Sequence, residues 1–225
     1  AEYWLAYKDD KVVGRVAAII NHKANEAWKV KQVRFGWIDF IDDLEVSKAL
    51  LDRVIAFGKS HGMTQVVGPL GFTDFDPEGM LVEGFDRLST MALIYNHPYY
   101  PEHMKKHGYY KETGWVEYRI TIPQELPERH VKLAELVKER NKLKVRKLTK
   151  RQIRKEGYGR KLFELINQTY CVLYGYSLLS PKQIDQYVDV YLSLVDMRML
   201  TFIENEAGDL IAAGISIPSL SEALQ

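Results

Sequence analysis

Asp74, Asp76, Glu78, Glu83 and Asp86 fall in one stretch that also carries Gly71, Gly79 and Gly84. A carboxylate held among Phe72, Phe75, Leu81 and Phe85 loses hydration, so its pKa rises and it can take a proton from an amine or simply attract the cation. Glu83 is the first choice for that base, because Met80, Leu81, Val82 and Phe85 flank it and are expected to enclose it partly. The plainer reading of these acids is that they cap turns and face water. Further along, Asn96-His97-Pro98-Tyr99-Tyr100-Pro101 is stiffened by its prolines. His97 can shuttle a proton near neutral pH, and Tyr100 can donate one to a departing anion. Aromatic packing where a loop re-enters the core accounts for the same tyrosines without chemistry.

A second feature is electrostatic. Lys138 to Lys161 holds twelve Lys or Arg against Glu139 and Glu156, while the whole chain has a net charge of only +1. Such a run suits an anionic membrane surface, the phosphates of a small ligand or nucleic acid. Aromatic residues are scarce within it, which argues against single-stranded nucleic acid as partner. A solvated face around a linker is the bland alternative. Cys171 is the single cysteine, so no internal disulfide can form, and beside Val172 and Leu173 it is expected to be a buried helical residue. The residue set implies no metal. It contains no P-loop, dinucleotide fingerprint or Gly-x-Ser-x-Gly elbow.

With 225 residues, 46% hydrophobic and 27% charged, the chain is globular and has enough apolar side chains for a core. No apolar run approaches the roughly 20 residues of a membrane span, and the first residues lack a signal-peptide layout. The expectation is a cytoplasmic protein, at most peripheral to a membrane.

The elements that must position these residues are read from period and punctuation. Tyr3 to Tyr7, Val12 to Ile20 and Val33 to Ile41 alternate as strands. Leu44 to His61 has helical spacing and stops at Gly62, and Thr64 to Val67 is a short β-branched strand before Gly68 and Pro69. Gly71 to Asp86 reads as an ordered irregular loop. A short helix over Tyr100 to His107 and a strand over Trp115 to Ile122 follow. Glu128 to Asn141 reads as a helix, Leu143 to Leu148 as a strand, Arg160 to Tyr174 and Pro181 to Leu194 as helices, and Met199 to Glu204 with Leu210 to Ile217 as a hairpin.

The hairpins YWLAYKDDKVVGRVAAI and LTFIENEAGDLIAAGISI share an acidic turn and a mid-strand glycine, Gly14 and Gly214. That echo suggests a duplicated fold. The order of elements from Tyr3 to Ile122 resembles the GNAT acyl-CoA N-acyltransferases, and Leu143 to Ile217 resembles the front half of the same fold. More narrowly, GPLGFTDFDPEGMLVEGFD (Gly68 to Asp86) and YNHPYYPEHMKKHGYY (Tyr95 to Tyr110) resemble a bacterial tandem-GNAT group that includes ceramide-synthase-like N-acyltransferases.

The resemblance implies an α/β fold with a mixed, mostly antiparallel sheet flanked by helices, in two partial copies. Residues 1–127 would be the back of the first copy, 128–141 a linking helix and 142–225 the front of the second. It implies amide formation from acyl-CoA or acetyl-CoA, as co-substrate of a longer parent, and a small-molecule amine. In that setting Glu83, His97 and Tyr100 are the expected catalytic residues, and Asp76, Phe85 and Tyr99 the expected substrate-binding ones. Two departures stand out. The family's pyrophosphate loop, patterned Arg/Gln-x-x-Gly-x-Gly/Ala, is here FIDDLEVSKALL, where Asp42, Asp43 and Glu45 occupy the anion position. Met104 stands where the family often has a tyrosine four residues before a Gly-aromatic pair. The chain is therefore expected to be a fragment lacking the CoA loop. A homodimer through open strand edges, a non-catalytic binding module and an aminoacyl-tRNA-dependent transferase are the other expectations.

Overall fold

The structure, a computed structural model, describes residues 1–90 and 93–224. Two units form: Ala1–Gly114 with Leu173–Leu178 and Ser219–Gln225, and Trp115–Val172 with Leu179–Pro218. Both combine a sheet with flanking helices, so the class is mixed α/β.

In the first unit β1 (Glu2–Lys8), β2 (Lys11–Ile19) and β3 (Gln32–Phe40) run antiparallel in that order, with β4 (Gln65–Val67) parallel to β3. The helix α1 (His22–Trp28), capped by the Asn21 side chain, links β2 to β3. It has no counterpart in the sequence reading, because its seven residues carry too short a pattern to show a period. Next comes α2 (Leu44–Ser60), which buries Val46, Leu50, Leu51, Val54 and Phe57 against Val16, Ala18, Val33, Phe35 and Phe40 of the sheet. Gly14 is required there, since a Cβ would lie 2.8 Å from Leu50 Cδ1 and 2.9 Å from the Asp39 carbonyl oxygen. The last helix of this unit, α3 (Tyr99–Lys106), adds Tyr100 and Met104 to the same core.

The second unit begins with 115–122, expected as a strand. Those residues pair with no strand, and Val116, Tyr118, Ile120 and Ile122 are exposed. Alternation alone makes a strand competent to pair but supplies no partner. Then follow α4 (Glu128–Arg140), β5 (Lys144–Arg146), α5 (Lys150–Lys155), α6 (Tyr158–Tyr170), α7 (Pro181–Leu194), β6 (Leu200–Glu204) and β7 (Leu210–Ile215). The strands form one antiparallel sheet, β5-β6-β7. Its core joins Leu148, Ile153, Tyr158, Leu162, Leu192, Leu200 and Phe202. Ser180 caps α7 with a reciprocal bond to Gln183, ahead of Pro181, as its sequence signature predicts. Cys171 corrects an expectation: it is exposed just past the end of α6, where the chain has left the face that Leu162 and Phe163 bury.

The two echoing hairpins agree in pairing, each with a register irregularity. Their likeness stops there. β1 is an edge strand with Tyr3, Leu5 and Tyr7 exposed, whereas β6 is paired on both sides and buries Leu200, Phe202 and Glu204. Gly214 has open space where its Cβ would stand, so no common packing demand explains the paired glycines.

Candidate functional site

The parallel pairing of β3 with β4 lasts only from Gln32 to Arg34, opposite Gln65 to Val67. After one more backbone bond, Leu70 N–H to the Phe35 carbonyl at 2.9 Å, the two strands part. A bulge sits on β3 at this level: Arg15 pairs with Asp39 but Ala17 with Gly36, and Trp37 has φ 45°. The extra residue bends β3 and re-aims its side chains. On the side away from β2, no strand pairs with β3 beyond this point among the described residues.

Arg34 is the last residue before the split and is only 5% exposed. Its Nη1 donates to the Gly71 carbonyl at 3.0 Å and its Nη2 to the Gly175 carbonyl at 2.8 Å. One guanidinium thus ties the acidic loop and the 173–178 segment to β3. Burial pulls its pKa down, opposed by the nearby charges of Asp74 and Glu78. Those two carboxyls are half-buried. Burial pushes Asp74 up to about 6 against the pull of Arg34. Burial also pushes Glu78 up to about 7, helped by the charges of Asp74 and Asp76. A carboxyl poised near neutrality can take up or release a proton without a large pH change. Tyr174 adds a hydroxyl raised by burial and by its 2.7 Å bond to Glu112.

Asp76, expected at the substrate, staples the loop: one carboxylate oxygen accepts from Phe72 N–H at 2.9 Å and Thr73 N–H at 3.0 Å. The turn closes so tightly that a Cβ on Gly71 would meet Asp76 Cβ at 2.2 Å. A Gly71→Ala substitution is therefore expected to cost about 2 kcal/mol in urea unfolding, and to displace the Gly71 carbonyl from Arg34.

The structure places the other expected site residues as follows. Glu83 is exposed rather than enclosed, because the flanking apolar side chains do not fold over it; Val82, for one, is itself 49% exposed. His97 is exposed and stacks on Tyr99 with ring centres 5.4 Å apart. Tyr99 donates its hydroxyl to the Phe40 carbonyl at 2.7 Å, and Tyr100 accepts from Phe40 N–H at 3.1 Å. The pair thus serves the backbone at the end of β3, with Tyr100 stacked on the Phe40 ring. Phe85 is half-buried, and its carbonyl accepts weakly from Tyr95 at 3.4 Å. His97, Tyr99 and Tyr100 are thus grouped at one end of α3, and Asp76 lies with Asp74 and Glu78 in the other loop.

A second polar cluster was not foreseen. His103 Nδ1 lies 2.9 Å and His107 Nε2 2.8 Å from Ser47 Oγ, and His103 Nε2 lies 2.9 Å from Asp42 Oδ1. Ser47 is fully buried and His103 is 3% exposed. The visible signal was the spacing of His103 and His107, four apart on one helix face. Ser47 is an α2 residue with no accessible oxygen, so the cluster clasps α2 to α3 and offers no nucleophile. Among the described residues no group of three or more His, Cys, Asp or Glu could hold a metal ion.

The start of α2 does not fit a pyrophosphate. Asp43 caps the helix, accepting from Glu45 N–H at 2.9 Å, and binds Lys8 at 2.9 Å. The hydrogen bond from Lys8 holds its carboxyl below the usual range. The anion position is thereby filled by the protein's own charge.

No family model matches the sequence, and no solved structure matches it. Protein YghO of Escherichia coli (strain K12) is 34% identical over 108 residues, covering 48% of this chain and 28% of that protein. The bacterial ceramide synthase of Caulobacter vibrioides (strain NA1000 / CB15N) is 23% identical over 235 aligned residues, covering 99% of this chain. The chain spans 57% of that protein's length.

Proposed function

We propose that this chain belongs to an N-acyltransferase that moves an acyl group from acyl-CoA to an amine, and that Asp74 and Glu78 receive the amine. The observation that carries the reading is the pair of half-buried carboxyls beside Arg34, with Glu78 near 7. An ammonium arriving there meets two acceptors of its charge and one of its proton. Passing that proton to Glu78 leaves the nitrogen lone pair free, which is what an acyl acceptor needs. Arg34 holds the loop and limits how far the carboxyls rise. The GNAT-like order of elements and the whole-chain likeness to a ceramide synthase support acyl transfer to an amine, a long-chain one included. The α2 start, where Asp43 caps the helix and binds Lys8, does not fit CoA phosphates, so the thioester is not assigned to that place.

The test is turnover of acyl-CoA with amine acceptors by the longer protein proposed to contain this chain. Glu78→Gln is expected to lower kcat about 100-fold and to remove the acid limb of the pH profile near 7. Glu83→Gln, measured beside it, decides between the two carboxylates. Full activity of Glu78→Gln removes that residue as base, and acylation that requires charged tRNA in place of acyl-CoA overturns the co-substrate.

A further inference from the structure

We propose that the second unit carries a docking surface for an anionic phospholipid membrane, formed by α4, β5 and α5. This does not depend on the acyl-transfer reading.

The charge comes first. Of the twelve cations between Lys138 and Lys161, four have carboxylate partners: Lys142 with Glu206, Arg146 with Glu204, Arg154 with Asp189 and Arg160 with Asp185. Lys147 is held by the Arg198 and Leu200 carbonyls and the Thr201 hydroxyl, and Lys161 lies over the Tyr158 ring. The remaining six, Lys138, Arg140, Lys144, Lys150, Arg151 and Lys155, are exposed and without a carboxylate partner among the described residues. On α5 the cations Lys150, Arg151, Arg154 and Lys155 cover an arc of about 140° at 3.6 residues per turn. Ile153 lies outside that arc and is buried in the core. The run is therefore a cationic face and not a scatter of balanced pairs.

Apolar surface lies directly before it. α4 buries no residue, and Val131, Leu133, Leu136 and Val137 are 39%, 56%, 59% and 43% exposed. Leu133, Ala134 and Val137 share one side of the helix with His130. Glu128, Glu135 and Glu139 share the other, by the 3.6-residue period. Leu136 and Val131 widen that side on its two flanks, with Arg129 and Arg140 between Leu136 and Leu133 and Lys138 between Ala134 and Val131. Acids on one side, and apolar residues interspersed with cations on the other, is an arrangement that a helix lying in an anionic headgroup layer can use. A backward bond from Leu143 N–H to the Lys138 carbonyl, 2.8 Å, then turns the chain straight into β5. That edge strand exposes Lys144 and Val145.

Charge decides between occupants. A second copy would bring the same cations against these and be repelled. RNA would satisfy the charge but leave the apolar side of α4 in water, and bases would find no exposed ring to stack on within the basic run itself. The one aromatic residue of the run, Tyr158, is 6% exposed and bonded to Glu204. A bilayer with anionic headgroups satisfies both halves, since its surface attracts Lys and Arg and its acyl boundary takes the apolar side chains.

The experiment is co-sedimentation of the chain with phosphatidylcholine vesicles, with and without phosphatidylglycerol. Capture is expected only with phosphatidylglycerol, and it should weaken as salt rises from about 0.1 M to about 1 M. Lys150→Gln, Arg151→Gln and Lys155→Gln together are expected to weaken capture at least about tenfold. Leu133→Asp with Val137→Asp should weaken it too. All five positions are exposed, and circular dichroism checks that each variant is folded. Equal capture by phosphatidylcholine alone, no loss in the folded triple variant, or salt-sensitive RNA binding without vesicle capture overturns the proposal.

Discussion

Replacing Arg34 by Met is expected to destabilise the first unit by about 4 kcal/mol. Two carbonyls, of Gly71 and Gly175, lose their donor, and two half-buried carboxyls lose their counter-charge. Lysine does not rescue this, because a single ammonium lacks the fork that reaches two carbonyls on different segments. Urea unfolding reads the loss. Trp28 offers a local reporter, since its indole N–H donates to the Tyr176 carbonyl at 2.8 Å and its fluorescence follows release of the 173–178 segment. The pH dependence has a defined sign. Asp74 and Glu78 are raised from 3.8 and 4.5 to about 6 and about 7, so the folded chain holds more protons than the unfolded one across that window. These groups therefore subtract stability as pH rises from about 4 to about 7. Without Arg34 both carboxyls rise further, and the window extends upward. Carboxyl carbon NMR showing no upward movement in Arg34→Met would remove Arg34 as their regulator.

The clasp between α2 and α3 is the second large effect. His103→Ala is expected to cost about 3 kcal/mol, from the cavity beside Phe40 and the lost bonds to Ser47 and Asp42. His107 contributes to stability with the opposite pH dependence to Asp74 and Glu78. Burial lowers the pKa of His107 below 6.5, helped by His103 and Lys48 and opposed by Asp52. The folded chain then binds fewer protons than the unfolded one. The contribution is present above 6.5 and is lost as pH falls through the folded value. Imidazole NMR checks the ordering, with His107 titrating below a free histidine and moving back toward 6.5 in His103→Ala. A wild-type His107 titrating at or above 6.5 refutes this account.

These two sites differ in how far the sequence revealed them. The strands β1, β2 and β3, the helix α2 and the start of α7 were legible, because local period and capping chemistry determine them. The Gly71 to Asp86 loop was legible as an ordered acidic loop, but which carboxyls it encloses was not: the expectation fell on Glu83, which is exposed, while Asp74 and Glu78 are half-buried. Flanking apolar residues predict enclosure only if the chain folds them over the carboxylate, and near Glu83 it does not. Burial of Glu78 comes with a loop drawn against β3 by Arg34, whose second acceptor, Gly175, lies 141 residues away. Periodicity carries no information over that distance. Ser47 fails for the same reason, standing 56 residues from His103. The segment 115–122 fails in the opposite sense, as a local pattern without a partner.

The 173–178 segment also bears on synthesis. It lies in sequence between α6 and α7, yet it completes the unit built from the first 114 residues. A ribosome adding about 5–20 residues per second delivers Gly175 many seconds after Arg34 has emerged. Until then the guanidinium lacks one of its two carbonyls and the indole of Trp28 lacks its acceptor. The first-made portion of the nascent chain must wait for a later stretch before its polar interior closes, and a version cut back to residue 114 would stay in that unfinished condition.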